Sequence, residues 1–503
     1  MIAAGAIAEV PAASRAVRRD VPWYATHLMR SARHITRLAS VAALVAVATV
    51  VPVPGVSGIP ASPVAHAADG LGAGGEYHPL TPARVYDSRP GLPGSEHDVS
   101  PIGAKPISTA GSTFDVQLLG RGGVPATPGE VLGVVVNITV TEPTSTGFLN
   151  AYGKNAPAGT AAIVNFVAGQ TVPNLAIVRP GDEGKLTILL KAGTGSAHVV
   201  VDVFGWFSTS SSSQAGARLV PVTPGRVLDT RTGLGRASTS PLAAGEFTTL
   251  KIRGADAVDP PRADIVPDDS KIVGVVLNMA GVNNLPTSAA THLSVVPSDL
   301  PSGAKPSTAN LNLSKGQVKS NMVIVPVDPA DGSIRIYNNS ATTHVVLDVV
   351  GYLVDGQPAT TRAGRVVPLS APYRVFDTRE QQWNGVPLGP GQAEDWSFAD
   401  FAGSVTIGGV AVGKQLGVIG NLTSASLTRQ YPQQPVGSYL TVYPSDAERP
   451  TSANLNMVEN QITPNMVIMK YSTTISNGPL VRVYNYAGFN HYIYDASAVI
   501  LSD

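Results

Sequence analysis

In V-V-V-N-I-T-V, residues 134–140, the side chains of Val134, Val136, Ile138 and Val140 share one side of an extended chain. Asn137 and Thr139 share the other, the period of two that marks a strand. G-S-I-R-I-Y-N and L-V-R-V-Y-N alternate in the same way, with Ile334 and Ile336, or Val481 and Val483, inward and Arg335 or Arg482 outward. Pro180-Gly181 and Asp331-Gly332 punctuate such runs at turn positions. Beyond residue 75 no segment holds a helical period for more than about two turns. The pattern predicts short strands joined by turns, an all-β chain.

These runs recur. R-V-Y-D-S-R-P-G at Arg84–Gly91 returns as R-V-L-D-T-R-T-G at Arg226–Gly233 and as R-V-F-D-T-R at Arg374–Arg379. After each comes a G-V-V-x-N variant ending at Asn137, Asn278 or Asn421. Next stand F-L-N-A-Y, H-L-S-V-V and Y-L-T-V-Y, then an asparagine-bearing segment aligning Asn165, Asn312 and Asn456. P-N-L-A-I-V, S-N-M-V-I-V and P-N-M-V-I-M align Asn174, Asn321 and Asn465. H-V-V-V-D-V-F-G-W, H-V-V-L-D-V-V-G-Y and H-Y-I-Y-D-A-S-A-V close the copies. The period of about 145 residues far exceeds the roughly 20–50 of a solenoid unit, so each copy is long enough to bury a core of its own. The expectation is three tandem β-sandwich or jelly-roll-like domains, packed with pseudo-threefold symmetry. They occupy residues 76–207, 218–353 and 365–503, with polar linkers at 208–217 and 354–364.

Composition narrows the function classes. Charged residues make up 14% of the chain, against roughly 25% in a typical soluble domain, and 35 basic side chains balance 35 acidic ones. No basic surplus exists to displace counterions, which argues against nucleic acid. Cysteine is absent, which excludes disulfides, thiolate catalysis and cysteine-ligated metals. Residues 1–67 read as an export signal: Arg30, Arg33 and Arg37 precede an apolar run from Leu38 to Val51, Pro52 and Pro54 break it, and A-H-A ends at Ala67. Met29 stands directly before the basic cluster and is a candidate start. Removing residues 1–67 takes away six arginines and two acids and leaves a formal charge of −4.

The recurring polar residues are the candidate chemistry. In a regular strand Asp87 and Arg89 share a face, while Arg84, Tyr86 and Ser88 point the other way. Asp202 sits in a wholly apolar strand, so an enclosed carboxylate there needs a partner, and arginine offers a two-toothed grip. The expectation is an ion-pair network joining the first and last strands of each copy. It comprises Arg84, Asp87, Arg89 and Asp202; Arg226, Asp229, Arg231 and Asp348; and Arg374, Asp377, Arg379 and Asp495. The functional alternative makes the same residues a pocket for a sugar hydroxyl, a carboxylate or a peptidoglycan fragment. Its polar rim would be Asn137, Asn174, His198, Asn278, Asn321, His344, Asn421, Asn465 and His491. No metal or other cofactor is expected, because the recurring histidine is single in each copy and lacks ligand spacing. No nucleophile elbow, H-E-x-x-H helix or phosphate loop appears, and carboxylates held beside arginine are unsuited to acid catalysis. Trp206, Trp383 and Trp396 do not recur at aligned positions and read as packing residues.

Taken together, R-V-x-D-[ST]-R, V-x-N, S-A-N-L-N and H-V-V-x-D-V-x-G-Y resemble a tandem repeat of secreted actinobacterial proteins, over about residues 77–503. The resemblance implies secretion and an accessory, cell-envelope or extracellular binding role, and carries no catalytic residues. D-A-S-A-V in the third copy departs from D-V-x-G-[YW]. The expected function is a non-enzymatic binding or structural protein of the envelope or extracellular space, free of the membrane once the signal is cleaved. Its partner would be a cell-wall or extracellular polysaccharide. The alternatives are a purely architectural module whose partner is another surface protein, and an extracellular hydrolase.

Overall fold

The computed structural model describes residues 74–89 and 111–503, apart from short breaks of which the longest are 398–405, 430–436 and 473–479. The export signal and Trp383 lie outside the described residues. Repeat 1 runs β1 (Tyr77–Asp87), β2 (Ser112–Gln117), β3 (Val131–Thr141), β4 (Gly147–Gly153), β5 (Val164–Phe166), β6 (Val172–Val178), β7 (Lys185–Lys191) and β8 (His198–Ser208). Its strands form two antiparallel sheets, β1-β8-β3-β6 and β2-β7-β4-β5.

Repeat 2 follows with β9 (Arg218–Asp229), β10 (Phe247–Lys251), β11 (Ala255–Val258), β12 (Pro261–Val266) and β13 (Ile272–Asn283). It continues with β14 (Thr291–Pro297), β15 (Leu311–Leu313), β16 (Gln317–Pro326), β17 (Ser333–Asn338) and β18 (His344–Val354). Repeat 3 opens with β19 (Val366–Asp377), β20 (Ala393–Ser397), β21 (Thr406–Ile407), β22 (Val410–Ala411) and β23 (Gln415–Thr428). It ends with β24 (Gly437–Pro444), β25 (Leu455–Val458), β26 (Thr463–Lys470), β27 (Leu480–Asn485) and β28 (Phe489–Leu501). The inner sheets β9-β18-β13-β16 and β19-β28-β23-β26, and the outer sheets β10-β17-β14-β15 and β20-β27-β24-β25, repeat the order of the first pair. β11-β12 and β21-β22 are inserted hairpins. Among the described residues the fold is all-β, with six four-stranded sheets.

Within each pair the sheets face one another across apolar side chains. Val134, Val136, Ile138 and Val140 of β3 meet Leu149 of β4 and Leu186, Ile188 and Leu190 of β7. At roughly 25 cal/mol per Å² of apolar surface removed from water, each such side chain contributes about 1.5–3 kcal/mol. The expectation of three separate domains does not hold. The residues between those valines are also apolar, and no inner sheet can leave that second face in water. Val135, Leu175 and Ile177 of repeat 1 therefore join Val276, Met322 and Ile324 of repeat 2 and Ile419, Met466 and Ile468 of repeat 3 in a fourth core. At its centre β6, β16 and β26 pack on one another. Strands buried on both faces read as continuous apolar runs, which is why V-V-V and its counterparts do not alternate cleanly.

Candidate functional site

The arginine motif lies at the end of each opening strand, and its geometry turns on one extra residue. β1 pairs with β8 in the register Arg84↔Asp202, then Tyr86↔Val201, so Val85 is bulged out. The same shift occurs after Arg226 and Arg374. A bulge reverses the facing of the residues beyond it. The strict alternation expected for this stretch is thereby broken, and Arg84 comes to lie on the same side as Asp87.

The result is a four-member chain of charge. Arg84 donates from Nε to Asp202 Oδ1 at 2.9 Å and from Nη1 to Asp87 Oδ2 at 3.1 Å. Arg89 grips Asp87 through Nε at 3.0 Å, Nη2 at 2.7 Å and its own backbone N–H. Repeat 2 has Arg226 on Asp348 at 2.9 Å and on Asp229 at 3.5 Å, with Arg231 on Asp229 at 2.6 Å. Repeat 3 has Arg374 on Asp495 at 2.8 Å and on Asp377 at 3.0 Å, with Arg379 on Asp377 at 2.6 Å. The aspartates are buried. For Asp87, Asp229 and Asp377, burial works to raise the carboxyl pKa, but the hydrogen bonds and charges of two arginines outweigh it and hold it below the ordinary range. Asp202 and Asp348 are more deeply enclosed, and there burial wins and moves them upward.

The residues expected to form a polar rim do not form one. Asn137, Asn174, Asn278, Asn321 and Asn465 are buried and, with the half-buried Asn421, tie each repeat to the next. Asn137 Nδ2 donates to the Ala309 carbonyl at 3.0 Å, Asn278 to Ala453 at 2.7 Å and Asn421 to Ala162 at 2.7 Å. Their side-chain oxygens accept from Asn321 at 3.2 Å, Asn465 at 3.1 Å and Asn174 at 2.9 Å. Repeat 1 thus holds repeat 2, repeat 2 holds repeat 3, and repeat 3 holds repeat 1, a closed ring. Each interior amide needs a partner, and the neighbouring repeat supplies it. Of the histidines, His198 is buried and His344 and His491 are half-buried. His198, His344 and His491 hydrogen-bond through Nδ1 to Ser88, Thr230 and Thr378, at 3.0, 2.9 and 3.2 Å. That hydroxyl is the [ST] of the arginine motif, and it also accepts the N–H of Val199, Val345 or Tyr492.

Where repeat 3 meets repeat 1, a cavity of ≈ 40 Å³ is lined by Asn174, Arg179, Asn421, Asp495 and Ser497 among others. It has room for about three waters and falls far short of the roughly 300 Å³ at which small-molecule pockets begin. Among the described residues no group of three or more His, Asp or Glu side chains is placed to hold a metal ion. Trp206 is buried against His78, and Trp396 stacks on Phe376 while donating to the Tyr492 hydroxyl at 2.8 Å.

An outer surface had no place in the sequence expectations. Phe148, His292 and Tyr439 hold one position in β4, β14 and β24, and each meets an aromatic or cationic neighbour from the adjoining strand or the residue just after it. Lys191 stands over Phe148 at 5.6 Å, and His292 leans on Tyr337 at 6.4 Å. Tyr439 stacks on Tyr486 at 4.7 Å and 12°, with Tyr484 at 6.3 Å. Arg449 lies over Tyr484 at 4.0 Å, and Tyr486 is 48% exposed. The period of two in F-L-N-A-Y, H-L-S-V-V and Y-L-T-V-Y carried the signal: with Leu149, Leu293 and Leu440 inward, the residue before each faces out.

No family model matches the chain, and no curated protein matches it. Among solved structures, the N-terminal CBM22 tandem of Paenibacillus barcinonensis Xyn10C is similar at 12% identity, covering 45% of this chain and 79% of its own, with a TM-score of 0.15. A triple jelly-roll protein of an archaeal virus turret assembly is similar at 10% identity, covering 84% of this chain and 90% of its own, with a TM-score of 0.16. A structure of Sulfolobus Turreted Icosahedral Virus is similar at 9% identity, covering 79% and 86%, with a TM-score of 0.15. At these TM-scores none of the three decides the fold or the function of this chain.

Proposed function

We propose that this is a non-enzymatic exported protein of the cell envelope or extracellular space, a rigid triple jelly roll that presents its outer sheets to an extended glycan. In support of the jelly-roll reading, the strand orders 1-8-3-6 and 2-7-4-5 recur in all three repeats, the arrangement of a double Greek key. The resemblance to secreted actinobacterial repeats and the signal-like residues 1–67 support export.

The observation that carries the glycan reading is the exposed Tyr439–Tyr486 stack, with ring-bearing residues at the same position of the other two repeats. Flat aromatic faces with a polar tip suit a ligand that is apolar on one side and hydroxylated on the other. Three weak sites on one rigid body act together through effective concentration when the ligand is a polymer. A second reading has its own observation: the aligned asparagines, aspartates and histidines are consumed inside the protein, as a purely architectural module binding another surface protein would have them. Sedimentation with purified peptidoglycan and with soluble polysaccharides separates the two. Binding by the intact chain that falls at least about tenfold in Tyr439→Ala/Tyr486→Ala supports the glycan surface. Binding to none of them, or binding that ignores both substitutions, rejects it.

A further inference from the structure

We infer that the end of the three-repeat junction around Lys319 is a binding site for one small oxyanion, a carboxylate or a phosphate group, held by the Lys319 ammonium. This site is separate from the aromatic surface. It is a cavity of ≈ 20 Å³ to which all three repeats contribute: Asn165 and Gln170 from the first, Lys319 and Ser320 from the second, Gln461 and Thr463 from the third. Lys319 Nζ is closed off from solvent and has no hydrogen-bond partner among the described residues. A buried cation without a counter-charge is among the least favourable groups a folded protein holds, so its retention calls for an explanation.

Symmetry supplies none. Q-T-V-P-N, Q-V-K-S-N and Q-I-T-P-N align Val172, Lys319 and Thr463, and the neutral residues fill that place in the other two repeats. The cation is an addition to the framework, not part of it. Its surroundings suit an anion. No acid lines the cavity among the described residues, three side-chain amides and two hydroxyls do, and Ser320 Oγ already accepts from Asn456 Nδ2 at 2.6 Å, which leaves its O–H free to donate. A charge-assisted hydrogen bond from an enclosed ammonium is strong. The volume admits a carboxylate or one edge of a phosphate and excludes a sugar ring. Burial lowers the Lys319 pKa to about 8, so the side chain is still largely protonated at neutral pH and an entering anion would raise it again.

The test titrates the full chain with acetate and, separately, with inorganic phosphate, at fixed ionic strength against chloride. It follows Lys319 Cε by carbon-13 NMR and the melting temperature. The expected result is saturable binding of one of the two anions, an upward move of the Lys319 titration midpoint, and a higher melting temperature. In Lys319→Val, which copies repeat 1 and so keeps the fold, the same anion should bind at least about tenfold more weakly. The responsive arm identifies the source as carboxylate or phosphate. A Lys319 signal that moves with neither anion, or a melting response equal in the Lys319→Val chain, overturns the site.

Discussion

The inner sheets end in two charged places that are built in opposite ways. At one end stand Glu76, Arg218 and Arg365, at or just before the start of β1, β9 and β19, equivalent positions brought together by threefold packing. Glu76 Oε1 accepts from Arg218 Nη2 at 3.1 Å and from Arg365 Nη2 at 3.2 Å, and Oε2 accepts the Gly216 N–H at 3.0 Å. Arg218, only 1% exposed, gives its remaining donors to Thr361 and the Pro358 carbonyl, each at 2.7 Å. At the opposite end the equivalent positions are Val172, Lys319 and Thr463, and the lone charge has no partner among the described residues. Both ends break the threefold sequence symmetry. One break completes a network within the protein; the other leaves a cation waiting for something outside it. Burial alone therefore does not tell a scaffold charge from a site charge, whereas satisfaction does.

Removing the acid from the satisfied end should have the largest effect. Glu76→Ala leaves Arg218 enclosed without its counter-ion, and the loss expected from such a break is about 3–5 kcal/mol. Urea unfolding would read it as a lower midpoint at unchanged slope. The same contact should be sensitive to acid. Burial works to raise the Glu76 carboxyl, but the Gly216 N–H and the two arginines outweigh it and hold it below its ordinary value. Its contribution is present above the unfolded pKa of about 4.3 and is lost as pH falls through the lower folded one. In Glu76→Ala the acid limb of the stability profile should be shallower.

At the unsatisfied end the sign reverses. The Lys319 pKa stands at about 8 in the folded chain and near 10.4 unfolded, so below about pH 8 both states carry the proton and the folded state bears the full cost, about 3 kcal/mol. Between about pH 8 and 10 the unfolded state binds more protons, and stability rises with pH. Lys319→Val should be the more stable protein at pH 7 in chloride and should lose that rise. A variant less stable than the parent at every pH would mean that Lys319 has an internal partner and that the contrast between the ends is false.

Between the two ends lies the asparagine ring, where a smaller effect is expected. Asn278→Ala leaves the Ala453 carbonyl without its side-chain donor and takes from Asn465 Nδ2 one of its two acceptors, the other being the Asn454 carbonyl at 2.6 Å, at a cost of about 1–3 kcal/mol. Because Asn278 joins repeats 2 and 3, its loss should show first as faster hydrogen exchange in β25 and β26. Exchange that rises only inside repeat 2 would argue that the ring is not what couples the repeats.

How far the sequence spoke for all this differs by level. Strand character was plain, because Val134, Val136, Ile138 and Val140 alternate against Asn137 and Thr139. The repeat was plain from the arginine motif. The fourth core was hidden, since the alternation was read from Asn137 and Thr139 as a polar side, whereas Val135 on that same side belongs to a second interface. The role of the asparagines was hidden for a related reason: Asn137 and Asn321 lie 184 positions apart, and no local pattern states which repeat answers which. Arg84 and Asp87 were assigned to opposite faces because a bulge leaves no mark in R-V-Y-D. Lys319 could have been found by aligning the repeats and asking where one charge stands against two neutral residues, and the same comparison would have set Glu76 beside Arg218 and Arg365.

Arg365→Val is the smallest and sharpest of these tests. Two arginines share one carboxylate at the Glu76 end, so deleting the outer one leaves Glu76 and Arg218 as a balanced pair. Arg365 is about one-sixth exposed and its Nε has no partner among the described residues, which lowers what it contributes. The expected cost is about 1 kcal/mol or less, in the range of partly exposed pairs. If the triad is one network, Glu76→Ala and Arg365→Val together should cost less than the sum of the two, since Arg365 has nothing left to hold once Glu76 is gone. Strict additivity would make the three charges independent neighbours, and the satisfied end would then be no better organised than the end that holds Lys319.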